Sequence, residues 1–269
     1  TGMDAMKKYM DKDQAVKINY ASKYSQVANY WKNRQGMIDA LTLHKTAITK
    51  AQDEAKFNKW ANKKENKEQY GDVIATINAY YAATNEKARH DNYLSGMLRS
   101  STLAALPYSI GSGLDMYVKS NEAKRKELLP RLQAAIASGY EKMYLPLEED
   151  VLIDELNLYA KKAGNIAPYV SELASKNNND LTSYIREAIK NSIFASEERL
   201  NNFLSNPTAI ALDNDPLYKL SSALLNKYRE SAIADKDATD KFEAAHRKYV
   251  AGVLASNPKG KFYPDANST

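Results

Sequence analysis

Three histidines, His44, His90 and His246, are the side chains best suited to proton transfer near neutral pH or to holding a transition metal. Each falls in a separate helical stretch, and none has a histidine or acid partner at metal-ligand spacing, so no zinc or iron motif is present. Asp39 lies five residues before His44, a poor spacing for a pair on one helix face. All three histidines are therefore expected as surface or half-buried helix residues. The chain has no cysteine, which removes disulfides, thiolate nucleophiles and cysteine-based zinc sites. No serine sits in a Gly-x-Ser-x-Gly elbow. Glu148-Glu149-Asp150 offers adjacent carboxylates, but directly after Pro146 their expected role is to complement the positive end of a helix dipole. Ser109-Ile110-Gly111-Ser112-Gly113 is not followed by Gly-Lys-Ser/Thr and not preceded by a strand, so it reads as a turn rather than a phosphate loop. The 19 tyrosines fall at helical spacing and are expected in core and boundary positions. On its residues alone the chain holds no self-sufficient catalytic site, no metal site and no cofactor motif.

The stretch from Ala21 to Met37 differs in kind. It carries Trp31, one of the two tryptophans, and two asparagines, Asn29 and Asn33, which are one helical turn apart and share a face. Gly36 interrupts an otherwise helical pattern at a cost of about 1 kcal/mol relative to alanine, and is expected to mark close packing or a kink.

The elements that must position this stretch are helices. Asp4 to about Tyr24 reads as one. From about Ser25 to Lys64 the pattern is longer: Val27, Trp31, Ile38, Leu41 and Ile48 fall on one face, predicting an uninterrupted helix of roughly 55–60 Å that serves as an arm or a bundle spine. Further helices are expected over Glu68 to Arg89, from a cap at Asp91 or Asn92 to Pro107, and from Ser120 or Asn121 to about Tyr144 with a break at Pro130. Pro146 to Lys162 follows, with Gly164 as its C-terminal cap. After a loop at Asn177-Asn178-Asn179, Asp180 is expected to cap Leu181 to Phe194. Ser196 to Asn206, Leu217 to about Ile233 and Asp237 to about Ser256 complete the set, with Asp213-Asn214-Asp215-Pro216 as a loop and cap. No strand is convincing and no repeat of fixed period is seen. The expected fold is all-α, an elongated multi-helix bundle over residues 1–256. Residues 257–269 form a separate piece: a turn at Asn257-Pro258-Lys259-Gly260, then an extended segment that stops abruptly, as a truncated chain would.

Composition agrees with a helical reading, since 10 glycines and 8 prolines are few among 269 residues. The net charge of +5 comes from 38 basic and 33 acidic residues. Its basic clusters are short, scattered and close to acids, unlike the concentrated face of a nucleic-acid binder. No run approaches the ~20 apolar residues of a membrane span. The first residues lead straight into an amphipathic pattern without a signal peptide, so a soluble chain, or a soluble piece of a longer one, is expected.

Tyr20-Ala21-Ser22-Lys23-Tyr24, Asn29-Tyr30-Trp31-Lys32-Asn33, Gly36-Met37, Asp215-Pro216-Leu217-Tyr218, Arg247-Lys248-Tyr249-Val250 and Phe262-Tyr263-Pro264-Asp265-Ala266-Asn267-Ser268-Thr269 occur in this order. Together they resemble the helical domain of the bacterial serine dipeptidyl aminopeptidases typified by dipeptidyl-peptidases seven and eleven. The Tyr-Pro-Asp-Ala-Asn string is the most specific, and the resemblance covers the whole chain. It implies a domain inserted into a chymotrypsin-like double β-barrel and covering its active-site cleft, with the catalytic His and Asp before it and the Ser after it. It further implies release of dipeptides from free N-termini of peptides, in the periplasm or at the surface of a Gram-negative bacterium. The full-length enzyme would be a homodimer and would need no metal or cofactor. This segment alone would be inactive, its partners being an oligopeptide substrate and the catalytic domain of the same polypeptide. The family's asparagine that helps bind the substrate α-amino group maps to Asn29, with Asn33 as second choice. Trp31 is expected in core or interdomain packing. The alternative reading is a stand-alone helical protein-binding or scaffold module with no peptidase attached.

Overall fold

The computed structural model describes residues 2–232 and 236–260, and among the described residues there is no strand. In chain order the helices are α1 (Gly2–Met10), α2 (Gln14–Leu43), α3 (Thr46–Ala61), α4 (Lys67–Tyr70), α5 (Val73–Ser100), α6 (Thr102–Lys119), α7 (Glu122–Tyr140), α8 (Leu145–Lys162), α9 (Pro168–Lys176), α10 (Thr182–Asn191), α11 (Glu197–Ser205), α12 (Ala209–Asn214), α13 (Pro216–Ala232) and α14 (Lys236–Ser256). A 3-10 turn, Ile193–Ala195, links α10 to α11. The all-α class expected from the sequence is the class observed.

Several boundaries differ from the periodicity, each for a local reason. The first expected helix is two helices, because Asp13 Oδ1 accepts from the N–H groups of Ala15 (2.7 Å) and Val16 (3.3 Å) and so starts α2 afresh. The long helix expected to Lys64 ends at Leu43, where Lys45 takes a left-handed backbone (φ 49°) before α3. Gly36 is neither a contact nor a break: a Cβ there would meet nothing within 4 Å, and α2 runs through it. Asp91 and Asn92 lie inside α5, and Ser101 caps the next helix by accepting from Ala104 N at 3.2 Å.

The largest correction concerns Ser109–Gly113. It is not a turn but the middle of α6, which also contains Pro107. α6 buries Leu103, Leu106, Ile110, Leu114 and Tyr117 and is packed by α7, α8, α12 and α13, leaving Ser109, Ser112, Met116 and Lys119 as its exposed face. Its glycines admit neighbours: a Cβ at Gly111 would stand 3.2 Å from the Tyr218 ring, and one at Gly113 3.2 Å from a Leu132 methyl. α7 likewise runs through Pro130. Asp213 and Asn214 belong to α12 rather than to a loop, and α9 was not anticipated. The Gly164 cap (φ 85°) and the left-handed Asn178 and Asn179 occur where the sequence places them. Asn257–Gly260 is a turn closed by Gly260 N to Asn257 O at 2.9 Å. The extended segment from Lys261, including the Tyr-Pro-Asp-Ala-Asn string, lies outside the described residues.

The helices sort into two compact units. The first, residues up to Lys32 with Glu86–Ala232, holds the main core around α6, α8, α10 and α13 and a smaller cluster of Ala5, Met6, Val16, Tyr20, Leu147 and Val151 that seats α1 and the start of α2 on α8. The second, described over residues 33–85 and 236–260, is held by an aromatic cluster of Phe57, Trp60, Tyr70 and Tyr249.

Candidate functional site

The segment singled out in the sequence is the middle of α2. Val16, Tyr20, Tyr24 and Val27 face the first unit. Trp31, Ile38 and Leu41 continue along that side of the helix, yet they are 54%, 56% and 53% exposed. None of the five residues of the apolar face read from the sequence, Val27 to Ile48, is buried, and Trp31 is not a core residue. Among the described residues, 29–45 are exposed on every face of the chain.

A second stripe is polar. Ser22, Gln26, Asn29 and Asn33 follow one another at steps of four, three and four, the spacing of one helix face. Asn29 and Asn33 are both exposed, and the Asn29 amide is not engaged by a hydrogen bond among the described residues. Beside them Tyr30 is held by the Arg99 guanidinium, 4.4 Å above its ring. The lower end of the stripe lines a cavity of about 310 Å³, in which Ser22, Lys23 and Gln26 of α2 face Thr102 of α6 and Ser138 and Lys142 near the end of α7.

Under that cavity lies a buried carboxylate. Glu148, in the first turn of α8, is fully buried. Its Oε1 accepts from Tyr20 Oη (3.0 Å), Lys23 Nζ (2.9 Å) and Thr102 Oγ1 (2.9 Å), and its Oε2 accepts from Thr102 N (2.6 Å). Lys23 Nζ also donates to Thr102 Oγ1 at 3.0 Å, and Tyr20 Oη accepts from Tyr144 N at 2.9 Å. Burial, and then the neighbouring Glu148 charge, push the Tyr20 phenol well above its ordinary value, so it stays a donor. The sequence placed Glu148 at a helix start and left it to the dipole. It does sit there, but its carboxylate also ties α2 and α6 to α8. Its neighbours serve other helices: Glu149 pairs with Arg186 at 3.2 Å, and Asp150 accepts from Lys8 Nζ (2.7 Å) and Tyr9 Oη (3.0 Å) of α1. Arg186 also reaches Asp150 Oδ1 at 3.9 Å, so each of the three acids is engaged by basic or hydroxyl partners from other helices.

Among the described residues no group of histidines and acids is placed to hold a metal ion. His44 and His246 are exposed, while His90 is buried against Tyr159 rather than half-buried as expected. No helix is long and apolar enough to cross a membrane. The signal that could have found Glu148 was weak: a Glu three residues after a helix start is ordinary, and its partners lie up to 128 residues away.

The peptidase S46 family profile matches residues 1–269. The chain is 41% identical over 270 residues to dipeptidyl-peptidase 7 of Capnocytophaga gingivalis, covering 100% of this chain and 38% of that protein. It is 25% identical over 266 residues to the Asp/Glu-specific dipeptidyl-peptidase of Flavobacterium psychrophilum, covering 97% of this chain and 37% of that one. Among solved structures, Porphyromonas endodontalis DPP11 superposes with a TM-score of 0.79 at 22% identity over 97% of this chain and 37% of that one. The same enzyme in complex with the dipeptide Arg-Glu gives 0.75 at 23% identity, covering 99% and 38%. The chain thus spans well under half the length of the relatives it matches, and it shares their fold over that span. The chain belongs to the peptidase S46 family.

Proposed function

We propose that this chain is the helical cap of a serine-type dipeptidyl aminopeptidase, an insertion in a chymotrypsin-like double β-barrel whose catalytic His, Asp and Ser all lie outside residues 1–269. The full-length enzyme releases dipeptides from free N-termini in the periplasm or at the surface of a Gram-negative bacterium, as a homodimer, without metal or cofactor. The segment alone hydrolyses nothing. Within it, Asn29 binds the substrate α-ammonium, with Asn33 as the second candidate.

The observation that carries this reading is the family match over the whole chain together with the uncommitted, exposed amide of Asn29 on the polar stripe of α2. An amide carbonyl accepting from an ammonium is a direct way to require a free N-terminus, because an acylated terminus has lost the charge and one or more donors. A hydrogen bond to a charged group contributes about 1.5–3 kcal/mol, or roughly 10–150-fold in binding. The side-chain preference is set mainly by residues outside this chain, in keeping with its likeness both to dipeptidyl-peptidase 7 and to Asp/Glu-specific relatives.

The test is kinetics of the full-length enzyme on a panel of dipeptidyl substrates, free and N-acetylated. Asn29→Ala is expected to raise KM for the free substrates, and Asn33→Ala to have the smaller effect. An unchanged KM in Asn29→Ala removes that residue from the site. Hydrolysis by residues 1–269 alone overturns the assignment of this chain as a cap.

A further inference from the structure

Resting on the reading that Asn29 binds the substrate ammonium, we propose that Glu148 is a positioning residue: its carboxylate fixes the rotation of α2 about its own axis, and thereby the direction of the Asn29 amide. Tyr20 and Lys23, three residues apart, grip the carboxylate from one turn of α2. Thr102 grips it with both its N–H and its hydroxyl from the first turn of α6. Two attachment points on one turn define a helix's phase as well as its depth. No glycine or proline separates Tyr20 from Asn29, and α2 is continuous between them, so the phase set at Glu148 is the phase at Asn29. The Tyr30–Arg99 stack braces the next turn.

The geometry makes this a tight constraint. A side chain about 6 Å from the helix axis moves about 2 Å when the helix turns by about 20°. A binding group must be held to about 0.5 Å to act fully. The apolar contacts of Val16, Tyr24 and Val27 do not set rotation to that tolerance, because non-directional packing slides where hydrogen bonds do not. The buried carboxylate has a second effect on the same face. Lys23 and the N-terminus of α6 would together attract anions, and Glu148 occupies both from within. The stripe itself carries the uncharged hydroxyl and amides of Ser22, Gln26, Asn29 and Asn33, with Lys142 facing its lower end.

The test is a double-mutant cycle in the full-length enzyme, with KM and kcat for a free dipeptidyl substrate measured for Glu148→Gln, Asn29→Ala and the pair. Tyr20→Phe, which removes one of the four donors, carries the same cycle should Glu148→Gln not fold. A residue acting through Asn29 raises KM on the order of tenfold with kcat nearly kept, and adds nothing once Asn29 is already alanine. Multiplied effects in the double variant, or an unchanged KM in Glu148→Gln and Tyr20→Phe, overturn the positioning role while leaving the Asn29 reading intact. An unchanged KM in Asn29→Ala overturns the Asn29 reading itself and the positioning with it.

Discussion

The hydroxyl of Tyr159 lies 2.9 Å from Nδ1 of His90, and both residues are buried. Tyr159 Oη also accepts from Ala167 N at 2.7 Å, so one hydroxyl ties His90 of α5 to the start of α9. Burial, opposed in part by the Asp91 carboxylate on α5, keeps the His90 pKa below its ordinary 6.5, and the Lys227 and Lys87 charges act in the same direction as burial. A base whose pKa is lowered on folding takes up its proton more readily in the unfolded chain. Its contribution to stability is complete above pH 6.5 and is lost as the pH falls from 6.5 toward the folded value. Thermal melts of the full-length protein across that range should show the loss, and His90→Gln should flatten it.

Tyr159→Phe tests the same pair from the other side. It leaves the Ala167 N–H without its acceptor and removes the partner of His90. A buried group left unpaired costs about 1–3 kcal/mol, which should lower the melting temperature by several degrees without changing the helical signal.

Asp215 is expected to be as sensitive. It is buried, and it accepts from Ser192 Oγ (3.0 Å), Ile193 N (2.7 Å) and Tyr218 N (2.9 Å), joining the 3-10 turn to the start of α13. Asp215→Ala orphans two backbone donors at once, and a loss of at least ~2 kcal/mol in chemical denaturation is expected. Asp215→Asn, which keeps an acceptor, should lose less.

Two glycines in helix interiors should respond in opposite directions. At Gly36 an added methyl meets nothing, so Gly36→Ala should stabilise α2 by up to about 1 kcal/mol. At Gly252 of α14 a Cβ would stand 2.7 Å from a Phe57 ring carbon and 3.1 Å from the Tyr70 ring. Gly252→Ala must spread that aromatic cluster, at a cost of about 1–3 kcal/mol. Equal effects from the two substitutions in urea titrations would contradict this account.

These contrasts show what was legible in the chain and what was not. Local chemistry was readable: the helical class, the Gly164 and Asn178–Asn179 terminations and the proline start of α13 follow from capping and dihedral preferences within a few residues. Periodicity told less than it promised. It identified an apolar face from Val27 to Ile48, which the break at Lys45 divides between α2 and α3, but a repeat of apolar residues does not say whether anything covers them. Ser109–Gly113 failed for the converse reason: glycine and serine signal a turn locally, whereas α6 uses Gly111 and Gly113 to let Tyr218 and Leu132 approach. Of the candidate site, spacing told only that Asn29 and Asn33 share a helix face, and the role given to Asn29 rests on the family resemblance. Glu148 could not be read from it, since its partners Tyr20, Lys23 and Thr102 come together only in the fold.

The clamps on the start of α8 have a kinetic side. Lys8 and Tyr9 reach Asp150 across 142 and 141 residues, and Tyr20 and Lys23 reach Glu148 across 128 and 125. Closing loops of that length before any contact rewards them is slow. The main core also closes a long loop, with α6 on α13 bringing Gly111 to Tyr218, but its helices are packed from several sides, whereas α1 and the base of α2 are seated through the small cluster of Ala5, Met6, Val16, Tyr20, Leu147 and Val151. Amides of α1 and the first turns of α2 should be the first in that unit to exchange with solvent deuterium.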